Sequence, residues 1–283
     1  MTMLTRLTIM TLMVVLSSVN AQDFQGVATY KTHRDFDIKM DSTKVNDAMQ
    51  KQMMEMMKKQ FQKTFTLTFN RSVSVYKQEV ELDKPQIGSG FQVSFGSSGS
   101  DVFYKNIQQK TYIDHKETMG KKFLIKDAIV PIDWELQSDT KYIGEYMCFK
   151  ATYTKQVPKM NLDFNSGSNK KDDNTEEEKE LEMTERTVTA WYTPQIPVSN
   201  GPAKYQGLPG LILEIHDGKL TVICSKIVIN PEEQIEIEAP TKGKEVNQKE
   251  YDVIMDKKRK EMMERYAPSR GSKDGVIHIT IDG

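Results

Sequence analysis

The sequence predicts an α+β protein, rich in β-structure, built on one large, curved, mainly antiparallel sheet of half-barrel-like form with two covering helices. Three observations predict it. Short stretches in which apolar and polar residues alternate recur along the chain, the period-two signature of half-buried strands. An Asp-Gly step between two apolar runs marks a hairpin. Two stretches with apolar steps of three and four interrupt the strands rather than alternating with each of them, which argues against a parallel βαβ plan.

Taken in order, Gln25 to Asp35 reads as an opening strand, with Val27, Thr29 and Tyr30 among polar residues. Between Lys44 and Lys63 the period changes: Val45, Met49, Met53, Met56, Met57 and Phe61 recur at helical spacing and give one broad apolar side. Phe65 to Val80 returns to period two, with Phe65, Leu67, Phe69, Val73 and Val75 on alternate positions. Ile87 to Asp101 is rich in Gly and Ser and reads as a connection. Strand signals follow at Val102 to Lys110, Thr111 to Glu117, Lys122 to Ile125 and Tyr142 to Lys155. The segment 161–182 is polar and charged and has too little apolar area to offset ordering, so it reads as a solvated insertion.

The clearest local structure comes late. Leu211 to Ile215 and Leu220 to Ile229 are two β runs separated by His216-Asp217-Gly218-Lys219, a hairpin whose Asp-Gly step suits two central residues of positive φ. Tyr251, Ile254, Met255, Met262 and Tyr266 then mark one stripe of a basic helix, and Val276 to Ile281 offers a last strand. No repeat of fixed period is present, so one domain is expected over 22–283.

The N-terminus carries an address. Arg6 precedes the apolar run Leu7 to Leu16, and Val19 and Ala21 provide small residues at the positions a signal peptidase reads. Residues 1–21 are therefore expected to be a cleaved signal peptide, leaving Gln22 as the new N-terminus. A membrane span needs roughly 20 apolar residues, about twice this core. No second long apolar run follows, so no transmembrane span is expected in the mature chain and its expected location is the periplasm or cell surface.

The net charge of −1 offers no basic face for phosphate neutralisation, which argues against nucleic acid. Cys148 and Cys224 are the only cysteines, and an oxidising compartment permits a bridge between them. Two free thiols on separate strands is the competing reading, because the alternation Ile143, Glu145, Met147, Phe149, Ala151 leaves Cys148 on the opposite face.

The stretch Gly201-Pro202-Ala203-Lys204-Tyr205-Gln206-Gly207-Leu208-Pro209-Gly210-Leu211-Ile212 is the most unusual. Pro209 fixes φ, and Gly210 is expected to supply the positive φ of a type II turn over Leu208 to Leu211, while Gly207 is expected to permit close approach of another chain or a ligand. Gly207 to Ile212 resembles, letter for letter, the signature of the GLPGLI family of exported bacterial proteins typical of Bacteroidota. Ala190-Trp191-Tyr192-Thr193, Ile196-Pro197 and Tyr146 to Thr152 agree with the same pattern. The resemblance implies export and a single GLPGLI-type domain; it transfers no catalytic residue, because the family's activity is not established.

Direct chemical signals are sparse. The four histidines, His33, His115, His216 and His278, are scattered, and no zinc spacing, nucleophile elbow, P-loop or dinucleotide glycine pattern occurs. Neither catalytic nor metal-ligating residues are assigned, and no cofactor is expected. Methionines 40, 49, 53, 54, 56 and 57 are weighed first as packing, then as a lipid or partner surface, and last as Cu(I) ligands. The expectation is a soluble binding or interaction protein of the envelope, not an enzyme, holding an apolar small molecule, a lipid or an envelope protein. Its candidate surface is Trp191, Tyr205, Leu208, Pro209, Met53 and Met57. The competing class is a hydrolase assembled from dispersed carboxylates and a histidine.

Overall fold

The computed structural model describes residues 24–35, 37–40, 62–79, 101–158, 183–266 and 277–280, together with Lys51 and Glu55. The expected signal peptide, the connection at 87–100, the insertion at 161–182 and the methionine-rich stretch lie outside these residues, as do Met53 and Met57; Lys51 and Glu55 are helical and exposed.

The strands are β1 (Gln25–Arg34), β2 (Asp37–Met40), β3 (Thr64–Asn70), β4 (Val73–Gln78), β5 (Val102–Asn106), β6 (Thr111–Thr118), β7 (Lys121–Ala128), β8 (Glu135–Ile143), β9 (Tyr146–Pro158), β10 (Met183–Thr193), β11 (Leu211–Asp217), β12 (Leu220–Ile229), β13 (Lys244–Val246) and β14 (Ile277–Thr280), with one helix, α1 (Gln248–Tyr266). Twelve strands form one open sheet in the order β13-β7-β6-β5-β4-β3-β1-β12-β11-β10-β9-β8, and β14 pairs with β2 apart from it. Every neighbouring pair is antiparallel except β13 with β7. β1 joins two meanders, β3 to β7 on one side and β12 back to β8 on the other. The sheet is thus large and mainly antiparallel as expected, but where two helices were expected only one is described with its bounds, and of the 44–63 stretch only Lys51, Glu55, Gln62 and Lys63 are among the described residues.

Local chemistry explains where the strands differ from the sequence pattern. Phe65 to Val80 is a hairpin rather than one strand, because the Asn70 side chain accepts the backbone N–H groups of Ser72 and Val73, each at 2.8 Å, and folds the chain back. Beyond that turn Ser74 and Tyr76 are the buried positions, in place of Val73 and Val75. A second turn at Gly144, φ +59°, splits the expected Tyr142 to Lys155 strand into β8 and β9. The alternation across 143–151 is therefore not that of one strand: Cys148 is buried and Met147 is 39% exposed. β8 forms one end of the sheet. It escapes a hydrophobic reading because Glu135 to Thr140 are all exposed, and an irregularity between Leu136 and Thr140 interrupts its ladder, a common way to blunt an edge.

The main core lies where both meanders meet, with Tyr30, Leu67, Phe69, Val188, Leu208, Ile212 and Ile215 among its buried members. A smaller cluster packs α1 on β7: the Tyr251 ring meets Phe123 edge-on at 5.4 Å, and its hydroxyl shares a 3.0 Å hydrogen bond with Thr118. The helix starts at a reciprocal cap, Asn247 accepting from the Glu250 N–H and Glu250 accepting from the Asn247 N–H. None of the described helices is long and apolar enough to cross a membrane.

Both cysteines are buried free thiols, and burial pushes Cys148 up to about 11 and Cys224 up to about 12. A thiol reagent at pH 8 is therefore expected to leave both unmodified in the folded protein and to titrate both after unfolding in denaturant. Titration of neither in denaturant would mean that they are bridged.

Candidate functional site

Residues 194–210 cross from β10 to β11, and most of their apolar side chains enter the core: Ile196, Val198, Tyr205 and Leu208 are buried. A buried connection must have its polar backbone groups satisfied, and here the sheet supplies partners. Leu211 N–H donates to the Ile196 carbonyl at 3.0 Å and Ile212 N–H to that of Asn200 at 2.9 Å. The Tyr30 hydroxyl donates to the Ile212 carbonyl at 2.7 Å, and Trp134 Nε1 donates to the Gln206 carbonyl at 2.9 Å. Lys105 of β5 is 1% exposed and donates from Nζ to the carbonyls of Gly201 at 2.7 Å and Tyr205 at 3.1 Å. Burial alone pulls its pKa down to about 7.

The glycines of the Gly207 to Ile212 corner exchange the roles expected of them. Gly207 carries the positive φ, +98°, and a Cβ there would meet only Trp134, at 3.7 Å. Gly210 instead provides close approach: a Cβ on it would lie 2.2 Å from the Thr193 carbonyl oxygen. The expected type II turn is replaced by a tighter one, in which Gly210 N–H donates to the Leu208 carbonyl at 2.8 Å around Pro209. The fixed φ of proline suits the centre of an inverse γ-turn.

The corner aims Tyr205 at the end of β11. The hairpin turn is Gly218-Lys219, with Gly218 at φ +61° in the first central position as in a type II′ turn. Asp217 is thus not a turn residue, as the Asp-Gly step suggested, but the last residue of β11, paired with Leu220. Its Oδ2 accepts hydrogen bonds from Lys155 Nζ at 2.5 Å and the Tyr205 hydroxyl at 2.7 Å. Arg186 reaches Oδ1 only as an ion pair at 3.7 Å, and Oδ1 has no hydrogen-bond partner among the described residues. Register explains the gathering: Lys155 of β9 faces Arg186 of β10, and Tyr153 faces Val188, itself opposite Asp217.

Around this carboxylate the field is cationic. Against the upward push of burial, the hydrogen bonds from Lys155 and Tyr205 and the nearby cations hold Asp217 below the usual carboxylate range. Lys204 is exposed by surface area, yet the protein packed around it, and then the charge of Lys155, lower its pKa. Tyr205 is raised well above an ordinary phenol by burial and by its bond to Asp217, and Tyr153 is pushed up to about 12 by burial and the Asp217 charge. Both phenols are therefore neutral donors at physiological pH. Trp134 closes one side, edge-on to Tyr153 at 4.8 Å.

Of the expected surface, Tyr205 is in this constellation, Leu208 is core at 1% exposure, and Pro209 is exposed at the corner. Trp191 is elsewhere. Alternation along β10 sets it on the face opposite Val188, Ala190 and Tyr192, where Lys141 Nζ lies 4.4 Å over its ring and donates to Glu214 at 2.7 Å. Convergence of Trp191 with Tyr205 and Leu208 is therefore not realised, and Trp134 takes the place beside Tyr205. On the Trp191 face, His216 contacts buried Glu214 through Nε2, and its Nδ1 is 3.2 Å from the Thr221 hydroxyl.

Among the described residues no three of His, Cys, Asp and Glu converge as a metal-binding group. A groove of about 490 Å³ runs along β13 and the start of α1, lined by Lys244, Val246, Glu250 and Ile254 among others, far from these groups in the strand order.

Comparison with known proteins adds a family-model match over part of the chain and a distant likeness. Residues 134–214 match the family model described as "Protein of unknown function (Porph_ging)", a span that includes Trp134, Lys155, Arg186 and Tyr205 and ends just short of Asp217. No curated protein matches the chain. Two solved structures of PNGF-II, in its C2 and P21 space groups, are similar at 14% identity with TM-scores of 0.45 and 0.46, over 83% of this chain and 33% and 34% of theirs. The chain spans about a third of the length of those structures.

Proposed function

We propose that the chain is an exported binding protein of the cell envelope, released as a soluble body after cleavage near Ala21, that captures its ligand or partner at the polar cluster around Tyr205 and Asp217. The observation that supports this best is the make-up of that cluster. Lys155, Arg186, Lys204 and two neutral phenols are gathered about one carboxylate, and among the described residues none of them is paired as nucleophile and base. Fixed polar groups beside aromatic rings are what orients a ligand in such a site.

The finer architecture belongs to the same reading. A sheet curved into a half-barrel, with a second helix over 44–63, would bring Met53 and Met57 as the apolar part of the surface for a small molecule, lipid or envelope protein. The Gly207 to Ile212 hexapeptide, all of it within the matched span, supports a GLPGLI-type assignment of the domain. Fractionating the native host and determining the N-terminal peptide mass tests export: Gln22 in the periplasmic or surface fraction is expected, and an intact Met1 in the cytosol would refute it.

One observation favours a hydrolase instead: the Thr221–His216–Glu214 chain has the order of nucleophile, base and orienting acid. Two facts weigh against it. Lys141 already neutralises the Glu214 carboxylate, and a secondary hydroxyl within a strand is a poor nucleophile. Purified protein and a Thr221→Ala variant are expected to be equally inert towards activated esters. Turnover by the parent chain that the variant loses would establish the enzyme reading.

A further inference from the structure

The geometry points to an oxyanion site at Arg186, Lys155 and Lys204, taking a ligand group of the carboxylate or phosphate class, with Asp217 as the internal competitor that holds the cations apart when the site is empty. This deepens the binding reading above by naming the chemistry of what is bound.

Arg186 carries the argument furthest. Its side chain is 13% exposed, yet its contact with Asp217 at 3.7 Å is longer than a hydrogen bond, and among the described residues its guanidinium donates none. None of its nitrogens is a buried atom lacking a partner, so the planar fork of five donors opens to solvent and is free for an incoming acceptor. A carboxylate or phosphate matches that fork bidentately. Gly218 makes the position accessible, since a Cβ there would lie 3.2 Å from Arg186 Nε.

The charges that face Arg186 complete the case. Lys155 is fixed by Asp217 at 2.5 Å, and Lys204, on the corner segment, lies close enough to Lys155 for the two cations to repel. Lys204 makes no hydrogen bond or ion pair among the described residues. Lys116 also bears on Lys204, but it is paired with Asp114 at 3.0 Å. Asp217 is the one carboxylate that offsets the charge of Lys204. A single negative charge thus balances three positive ones, and a bound oxyanion supplies the missing charge without displacing any hydrogen bond of Asp217 Oδ2. Tyr205, held neutral, keeps its O–H on Asp217 Oδ2, and the neutral Tyr153 stands beside it.

Isothermal titration of the purified chain with inorganic phosphate, sulfate and citrate tests this. At least one is expected to bind saturably, with affinity falling as salt rises, and the order of phosphate against citrate tells which oxyanion the site prefers. Asp217→Asn removes the competitor and is expected to tighten binding roughly tenfold, the effect of one nearby charge at an intermediate dielectric. A merely structural carboxylate would give the reverse. Lys204→Gln, at an exposed side chain, is expected to weaken binding severalfold with an unchanged melting temperature, so the test survives if the Asp217 variant folds poorly. No saturable binding of any of the three anions, or equal binding by parent and Lys204→Gln, would overturn the proposal. Because the titration uses simple anions in vitro, its failure is distinct from failure of export, which the N-terminal peptide reads.

Discussion

Gly210→Ala is expected to lower the stability of the folded chain by more than about 3 kcal/mol, among the largest effects a single methyl group produces. The added carbon would lie 2.2 Å from the Thr193 oxygen and 2.5 Å from its carbonyl carbon. Both are backbone atoms at the end of β10, so no rotamer change relieves the clash, and separating the chains breaks the seating of residues 194–210 on the core. Gly207→Ala is expected to cost only about 1–2 kcal/mol, because it meets positive φ but no backbone neighbour. Urea unfolding of the two variants checks the order. If Gly207 proved the more sensitive, the corner would be the wider turn that its sequence suggests.

Lys105 gives the second large effect, and it depends on pH. Its folded pKa is depressed to about 7 from the ordinary 10.5, so over that interval the unfolded chain binds the additional proton. Stability then rises with pH: the cost of burying the charge is fully present below pH 7 and has vanished above the unfolded pKa. Between pH 7 and 9 the gain is about 2 kcal/mol, from the linkage between the two pKa values. Above about pH 9 the raised thiols and phenols act in the opposite sense, which confines the clean window to lower pH. Lys105→Met keeps the volume but leaves the Gly201 and Tyr205 carbonyls without their donor, at a cost of about 2–4 kcal/mol. Denaturation midpoints of the variant should be flat from pH 7 to 9 where those of the parent climb. Parallel curves would remove Lys105 as the latch of the corner.

These two positions also show what the sequence could and could not display. Strand by strand, the alternation located β1, β5, β6, β7, β11 and β12, because half-buried strands write their period directly into the chain. It missed β8, whose exposed polar residues carry no such period, and it fused β3 with β4, since the Asn70 side chain that makes the turn looks like any strand asparagine. The hexapeptide marked the right corner, but which glycine needed positive φ and which needed space depends on Thr193, a residue brought there only by the crossing of 194–210. Lys105 was invisible for a simpler reason: lysine is almost never fully buried, and nothing near Val102 to Asn106 announces two carbonyls from residues 201 and 205. The constellation around Asp217 depended on the β9, β10 and β11 registers. Of its members only Tyr205 stood out in the sequence, through the motif beside it.

A recognition site at the cluster beside Tyr205 must be occupied in the protein's own compartment. Native mass spectrometry of the chain isolated from the envelope of its own host tests that most directly. It should find the mass of a chain beginning at Gln22 together with a bound anionic species, and the Lys204→Gln chain recovered in the same way should carry markedly less of it. Parent and variant recovered alike as the bare chain, with nothing bound to either, would contradict it.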